Sequence, residues 1–152
     1  MDQAPLPQQF PQFEQQADAN HLKLLSIFHF VVAGLALLGI GFLVLHYFLM
    51  SSIFANPKMW EGQKGGPPPE EFWNFFQWFY VVMGGFLILG CVGNLLSGLW
   101  LRARRNRVFS IVVAAINCCQ VPLGTVLGVF TLIVLMRDSV RQLYAETAAR
   151  GG

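Results

Sequence analysis

Residues 102–137 read RARRNRVFSIVVAAINCCQVPLGTVLGVFTLIVLMR. Arginines enclose an uncharged apolar run from Val108 to Met136, and Pro122 lies 15 residues from both Arg107 and Arg137. A straight helix between those two arginines would measure about 45 Å, against a hydrocarbon core of about 30 Å. It would also carry Arg137 and Arg141 away from the arginine cluster, against the preference of basic residues for one side of a bilayer. Folded at Pro122, each leg measures about 22 Å. Proline suits the start of a new helix, where its missing N–H would be unpaired anyway. Asn117 and Gln120 can satisfy the backbone groups of the turn, which lipid would otherwise penalise. The run therefore reads as two short helices, about 104–119 and 121–143, with a tight turn near Cys119 to Val121. The alternative is three spans with a proline-kinked third helix.

Upstream, residues 72–101 form a second apolar run. It opens on a dense aromatic stretch (Phe72, Trp73, Phe75, Phe76, Trp78, Phe79, Tyr80) and closes on Trp100. Trp78 and Trp100 would lie about 33 Å apart along a helix, with aromatic rings near both interfaces. The first run covers 22–50. Its uncharged part from Leu24 to Met50 gives a helix of about 40 Å, enough to span with tilt. Between the two, residues 51–71 hold Pro57, three glycines and Pro67–Pro69, which mark a loop. Residues 1–20, with six Gln and three Pro, read as a disordered tail. Residues 145–152 read as a flexible end after a membrane domain over 21–144.

Composition agrees with an all-α membrane protein of four transmembrane helices. The 152 residues are 55% hydrophobic and only 12% charged, against about 25% charged in ordinary soluble domains. The net charge of +2 and the absence of a basic, polar, aromatic-interleaved stretch exclude a nucleic-acid partner. Eight of the ten basic residues (Lys23, Arg102, Arg104, Arg105, Arg107, Arg137, Arg141, Arg150) share one side if the N-terminus, the arginine loop and the C-terminus lie together. That makes Arg102, Arg104, Arg105 and Arg107 the topology anchors. It sets the N-terminus cytoplasmic and the 51–71 loop outside.

The stretches HLKLLSIFHFVVAGLALLG near the start and VPLGTVLGVFTLIVL near the end, followed by a short basic tail, resemble a group of small bacterial membrane proteins without an established activity. The resemblance covers most of residues 21–144. It implies a four-helix protein of the bacterial inner membrane and brings no functional residue with it.

In lipid, helices associate by close packing of small residues and by interhelical hydrogen bonds. Gly93 with Ser97, and Gly124 with Gly128, are small residues four apart and are the expected packing positions. The partner is the bilayer, together with a second copy of the chain or another membrane protein. Depth counted from the basic anchors places four polar residues in the same half of the bilayer: His29 about 9 Å in, Asn94 about 12 Å, Ser97 about 7 Å and Asn117 about 15 Å. They form a candidate cluster, read either as hydrogen-bonding glue or as a cleft for a small ligand. His29 and His46, about 25 Å apart along one helix, cannot ligate one haem. Cys91, Cys118 and Cys119 read as buried apolar residues. No nucleophile motif, phosphate-cradling loop or paired intramembrane carboxylate is present. The expectation is a non-enzyme without cofactor or metal. It would be a structural or accessory protein or, alternatively, a small-molecule or lipid-binding module or a minor transporter.

Overall fold

The computed structural model describes residues 10–62 and 65–150, and every regular element among them is helical. The order is α1 (Phe10–Phe54), a short 3-10 turn (Pro57–Met59), α2 (Glu70–Ala103), α3 (Arg107–Asn117), α4 (Leu123–Met136) and α5 (Asp138–Arg150). Two stretches, Gln15–Phe54 and Glu70–Ala103, are long and apolar enough to cross a membrane. A third candidate exists only if α4 and α5, bent by 72° at their junction, count as one broken span. With 11 and 14 residues, α3 and α4 reach about 16 and 21 Å, each short of a hydrocarbon core. Four full spans are therefore not found among the described residues.

The hairpin reading does describe the backbone geometry. Gly124 lies against Asn117 and Gln120, and Gly128 against Ala114 and Cys118. The Arg107 guanidinium donates from Nε and one terminal nitrogen to the Leu135 carbonyl at 2.8 and 2.6 Å. Each step forward along α4 is thus a step back along α3, as antiparallel helices require. A Cβ on Gly124 would come 2.7 Å from the Asn117 carbonyl, and one on Gly128 2.7 Å from the Cys118 sulfur. Glycine lets the two backbones approach. The turn spans 118–122, and the hydroxyl of Thr125 closes it by donating to the Cys118 carbonyl at 2.9 Å. Pro122 stands one residue before α4 rather than inside its first turn.

Helix ends follow local chemistry. Asn56 caps the 3-10 turn by accepting from the Lys58 N–H, with Pro57 at its first position. Glu70 and Glu71 put negative charge at the start of α2, where the helix dipole favours it. At its other end, the Arg104 N–H bonds to the Leu101 carbonyl and the Arg105 N–H to the Trp100 carbonyl. This is the Schellman arrangement, with Arg104 at φ +51° in the left-handed position that glycine usually fills. Asn106 follows, also left-handed at φ +47°.

Besides α1 running on to Phe54, into the expected loop over 51–71, and α3 covering 107–117 rather than 104–119, three larger differences from the sequence reading stand out. Residues 10–20, expected in a disordered tail, are the first turns of α1; residues 1–9 lie outside the described residues. Glu, Gln and Ala favour helix, and a helix already nucleated by the apolar run extends at little cost. Asp18, 4% exposed, fixes the extension. Its carboxylate accepts from Arg137 at 3.1 Å and from the Ser139 hydroxyl. The expected helix over 121–143 is broken at Arg137, whose backbone is extended. The expected flexible end is helical through Arg150, because Leu143 and Tyr144 are buried and hold α5 in place; residues 151–152 lie outside the described residues.

The chain divides into two compact units. One comprises residues up to Val32 together with Gly93 onward, and the other is Ala33–Val92. The first holds the main apolar core, with Leu22, Leu25, Leu101, Leu127, Val134, Leu135, Val140 and Tyr144 packed together. Within the second, aromatic rings meet between the α1 and α2 segments, Tyr47 against Trp73 and Tyr80, and Phe54 against Phe72 and Trp73, while Trp60 of the connecting loop also packs on Phe54. His46 Nδ1 lies 2.7 Å from the Tyr80 hydroxyl in the same unit.

Candidate functional site

The first unit gathers its polar side chains. Asn94 of α2 and Asn117 of α3 bond reciprocally: Asn94 Nδ2 donates to Asn117 Oδ1 at 3.1 Å, and Asn117 Nδ2 to Asn94 Oδ1 at 2.8 Å. His29 of α1 joins through Nδ1, 2.8 Å from Asn94 Oδ1, and lies 3.3 Å through Nε2 from the Thr131 hydroxyl of α4. Four helices thus contribute one residue each, and all four residues are at most 1% exposed.

The acceptor Asn94 Oδ1 fixes the Nδ1 hydrogen of His29 as a donor. In the neutral ring Nε2 is then an acceptor. The single Thr131 proton is shared between it and the Leu127 carbonyl, 2.7 Å from Thr131 Oγ1. In the doubly protonated ring, Nε2–H would donate to Thr131, which would donate onward to Leu127. The hydrogen bonds persist in either form, but none of the cluster residues carries a negative charge to balance a buried imidazolium.

Of the residues expected in this cluster, His29, Asn94 and Asn117 meet, whereas Ser97 does not join them. Ser97 is fully buried, but its hydroxyl has no hydrogen-bond partner, and neither does that of Ser110. Thr131 takes the fourth place. It stands six residues before Arg137, about 9 Å inward by the same count that singled out the others. Its tendency to bond its own helix, which it also does here, conceals the signal.

The expected packing residues act within the chain. Gly124 and Gly128 form the hairpin contact, and a Cβ on Gly93 would stand 3.7 Å from Val113 of α3. Among the described residues, no three His, Cys, Asp or Glu side chains converge to hold a metal ion. Cys91 is buried, with its thiol 3.5 Å from the Ala33 carbonyl, and Cys118 is half-buried, but Cys119 is exposed rather than buried.

The arginine anchors divide. Arg107 caps the C-terminal end of α4, where a cation complements the helix dipole and satisfies a terminal carbonyl. Arg104 and Arg105 instead line a cavity of about 700 Å³, with Ala103, Asn106, Tyr144 and Thr147. Tyr144 belongs to α5, whose polar composition sets it apart from the apolar runs. Burial pushes its phenol up to about 12, against the pull of Arg107 and Arg104. A second cavity, about 610 Å³, lies in the other unit among Leu43, Tyr47, Gln77, Tyr80 and Gly84. Neither cavity is lined by His29, Asn94, Asn117 or Thr131.

The fold and site define an all-helical protein with two helices long and apolar enough to cross a membrane and a polar knot within one unit. No known protein family, curated protein or solved structure matches the chain.

Proposed function

We propose that the chain is a small integral protein of the bacterial inner membrane, structural or accessory in type, that works by packing against a second copy or another membrane protein. One observation carries this reading. The buried side chains of His29, Asn94, Asn117 and Thr131 bond one another within the chain, while the long helices turn apolar faces outward (Leu37, Leu38, Phe42 and Phe48 on α1; Val81, Val82 and Leu89 on α2). Such a surface suits lipid and neighbouring helices. In this reading α1 and α2 span the membrane. The α3–α4 hairpin enters from the cytoplasmic side, led by the apolar tip of Val121 and Leu123, 81% and 63% exposed. Its short legs are accommodated by local thinning and snorkelling arginines. The N-terminus and arginine loop face the cytoplasm, in line with the distribution of positive charge.

Native mass spectrometry of the chain in nanodiscs tests the proposal. A defined oligomer, or one stoichiometric co-purifying membrane protein, is the expected result. A strictly monomeric particle with no reproducible companion overturns it. The rival reading, a module that binds a lipid or small molecule, is favoured by a different observation, the arginine-lined cavity.

A further inference from the structure

Beside α5, the loop that joins α2 to α3 presents guanidinium groups that are in no ion pair among the described residues. Arg107 is committed to the Leu135 carbonyl, and Arg137 and Arg141 pair with Asp18 and Asp138. Among the described residues, neither a salt bridge nor a side-chain hydrogen bond engages Arg104 or Arg105. Both line the cavity of about 700 Å³. Arg104 is half-buried, so its charge is partly withdrawn from water, and no carboxylate among the described residues pairs with it.

The same cavity is lined by Tyr144, 9% exposed, whose hydroxyl has no hydrogen-bond partner. A buried hydroxyl without a partner is unfavourable, and native structures ordinarily satisfy such groups. The acidic residue nearest in sequence on α5, Glu146, is exposed and does not line the cavity. Two forked guanidinium groups and the Asn106 amide, beside the phenol of Tyr144, give a cationic edge to a recess otherwise lined by Ala103, Thr147 and Ala148. Guanidinium groups match the oxygens of a phosphate in paired hydrogen bonds, which an ammonium group cannot reproduce.

We propose that this cavity binds a phosphate group, with Arg104 and Arg105 holding its oxygens and the Tyr144 hydroxyl donating to one of them. The phosphate belongs either to the headgroup of an anionic lipid or to a free phosphate compound. The proposal stands apart from the packing role above, since it rests on a cavity and on side chains that the packing role does not use.

The test uses the full chain and variants that keep charge and orientation. Arg104→Lys combined with Arg105→Lys preserves every positive charge and removes the forks. Tyr144→Phe removes only the hydroxyl. Binding is read in two arms: retention of phosphatidylglycerol by native mass spectrometry from phosphatidylcholine nanodiscs doped with it, and a thermal shift with inorganic phosphate in lipid-free detergent. Retention with no phosphate-induced shift assigns the headgroup, and a shift with inorganic phosphate assigns the free compound. In the responding arm the double lysine variant should lose roughly tenfold or more in affinity, and Tyr144→Phe a few-fold. No response in either arm overturns the proposal. So does undiminished binding by both variants, because unspecific attraction of cations to an anionic surface depends on charge alone and would survive both substitutions.

Discussion

At the scale of single residues, the polar cluster is an exchange of hydrogen bonds between helices rather than a charged site. Asn94 and Asn117 are complementary because each amide carries both a donor and an acceptor, so two side chains on two helices close a ring. Replacing Asn94 by Leu leaves the Asn117 amide and the His29 Nδ1 hydrogen buried without their acceptor, and should cost about 1–3 kcal/mol. Asn117→Leu should cost a similar amount. The double variant should be less destabilised than the sum of the two by about 0.6–1.7 kcal/mol, between the average and the maximum coupling found for hydrogen bonds between membrane helices. A double-mutant cycle followed by reversible unfolding in mixed detergent measures that coupling. Strict additivity would mean that the two amides do not act as a unit. Asp18 makes a different kind of contact. Its buried carboxylate ties the start of α1 to Arg137 and Ser139 at the bend between α4 and α5.

At the scale of elements, the hairpin depends on how closely α3 and α4 can approach. The glycines of the chain are not equivalent in this respect. An added Cβ on Gly128 would meet the Ala114 carbonyl and the Cys118 sulfur and amide, whereas around Gly34 and Gly41 of α1 and Gly85 of α2 nothing lies within 4 Å. Gly128→Ala should therefore push the two legs apart and destabilise the protein by about 1–3 kcal/mol, the usual cost of overpacking. Gly41→Ala should stay within about 0.5 kcal/mol, as surface substitutions do. Thermal unfolding in detergent compares the two directly. Equal effects would remove the argument that backbone approach holds the hairpin together. The GTVLG spacing is thus satisfied inside the chain, which leaves the open glycines of α1 and α2 as the small residues an outside helix could meet.

At the scale of the molecule, charge and apolar length set orientation and shape. The four arginines of residues 102–107 supply half of the eight basic residues assigned to the cytoplasmic side. Reporters fused within the 55–62 loop and after Arg150 should read opposite sides of the membrane in the unaltered chain. With Arg102, Arg104, Arg105 and Arg107 all replaced by Gln, the populations should become mixed, because the remaining basic residues outweigh Lys58 and Lys64 by a smaller margin. Unchanged orientation in that variant would show that the arginine loop is not the main determinant. A reporter after Arg150 on the same side as the 55–62 loop would leave a chain with an odd number of crossings. What the sequence determined by itself is what composition and axial distance determine. Apolar length picked out α1 and α2, the equal spacing of Arg107 and Arg137 about Pro122 favoured a reversal over a kinked span, and depth counted from the basic anchors brought His29, Asn94 and Asn117 to one level. The tertiary structure decided whatever depends on rotation about a helix axis and on partners remote in sequence. It chose Thr131 over Ser97 for the cluster, extended α1 through residues 10–20 by giving Asp18 partners more than a hundred residues away, and bent the chain at Arg137. Spacing along a helix fixes how deep a side chain lies, but only the packing of neighbouring helices fixes which way it faces.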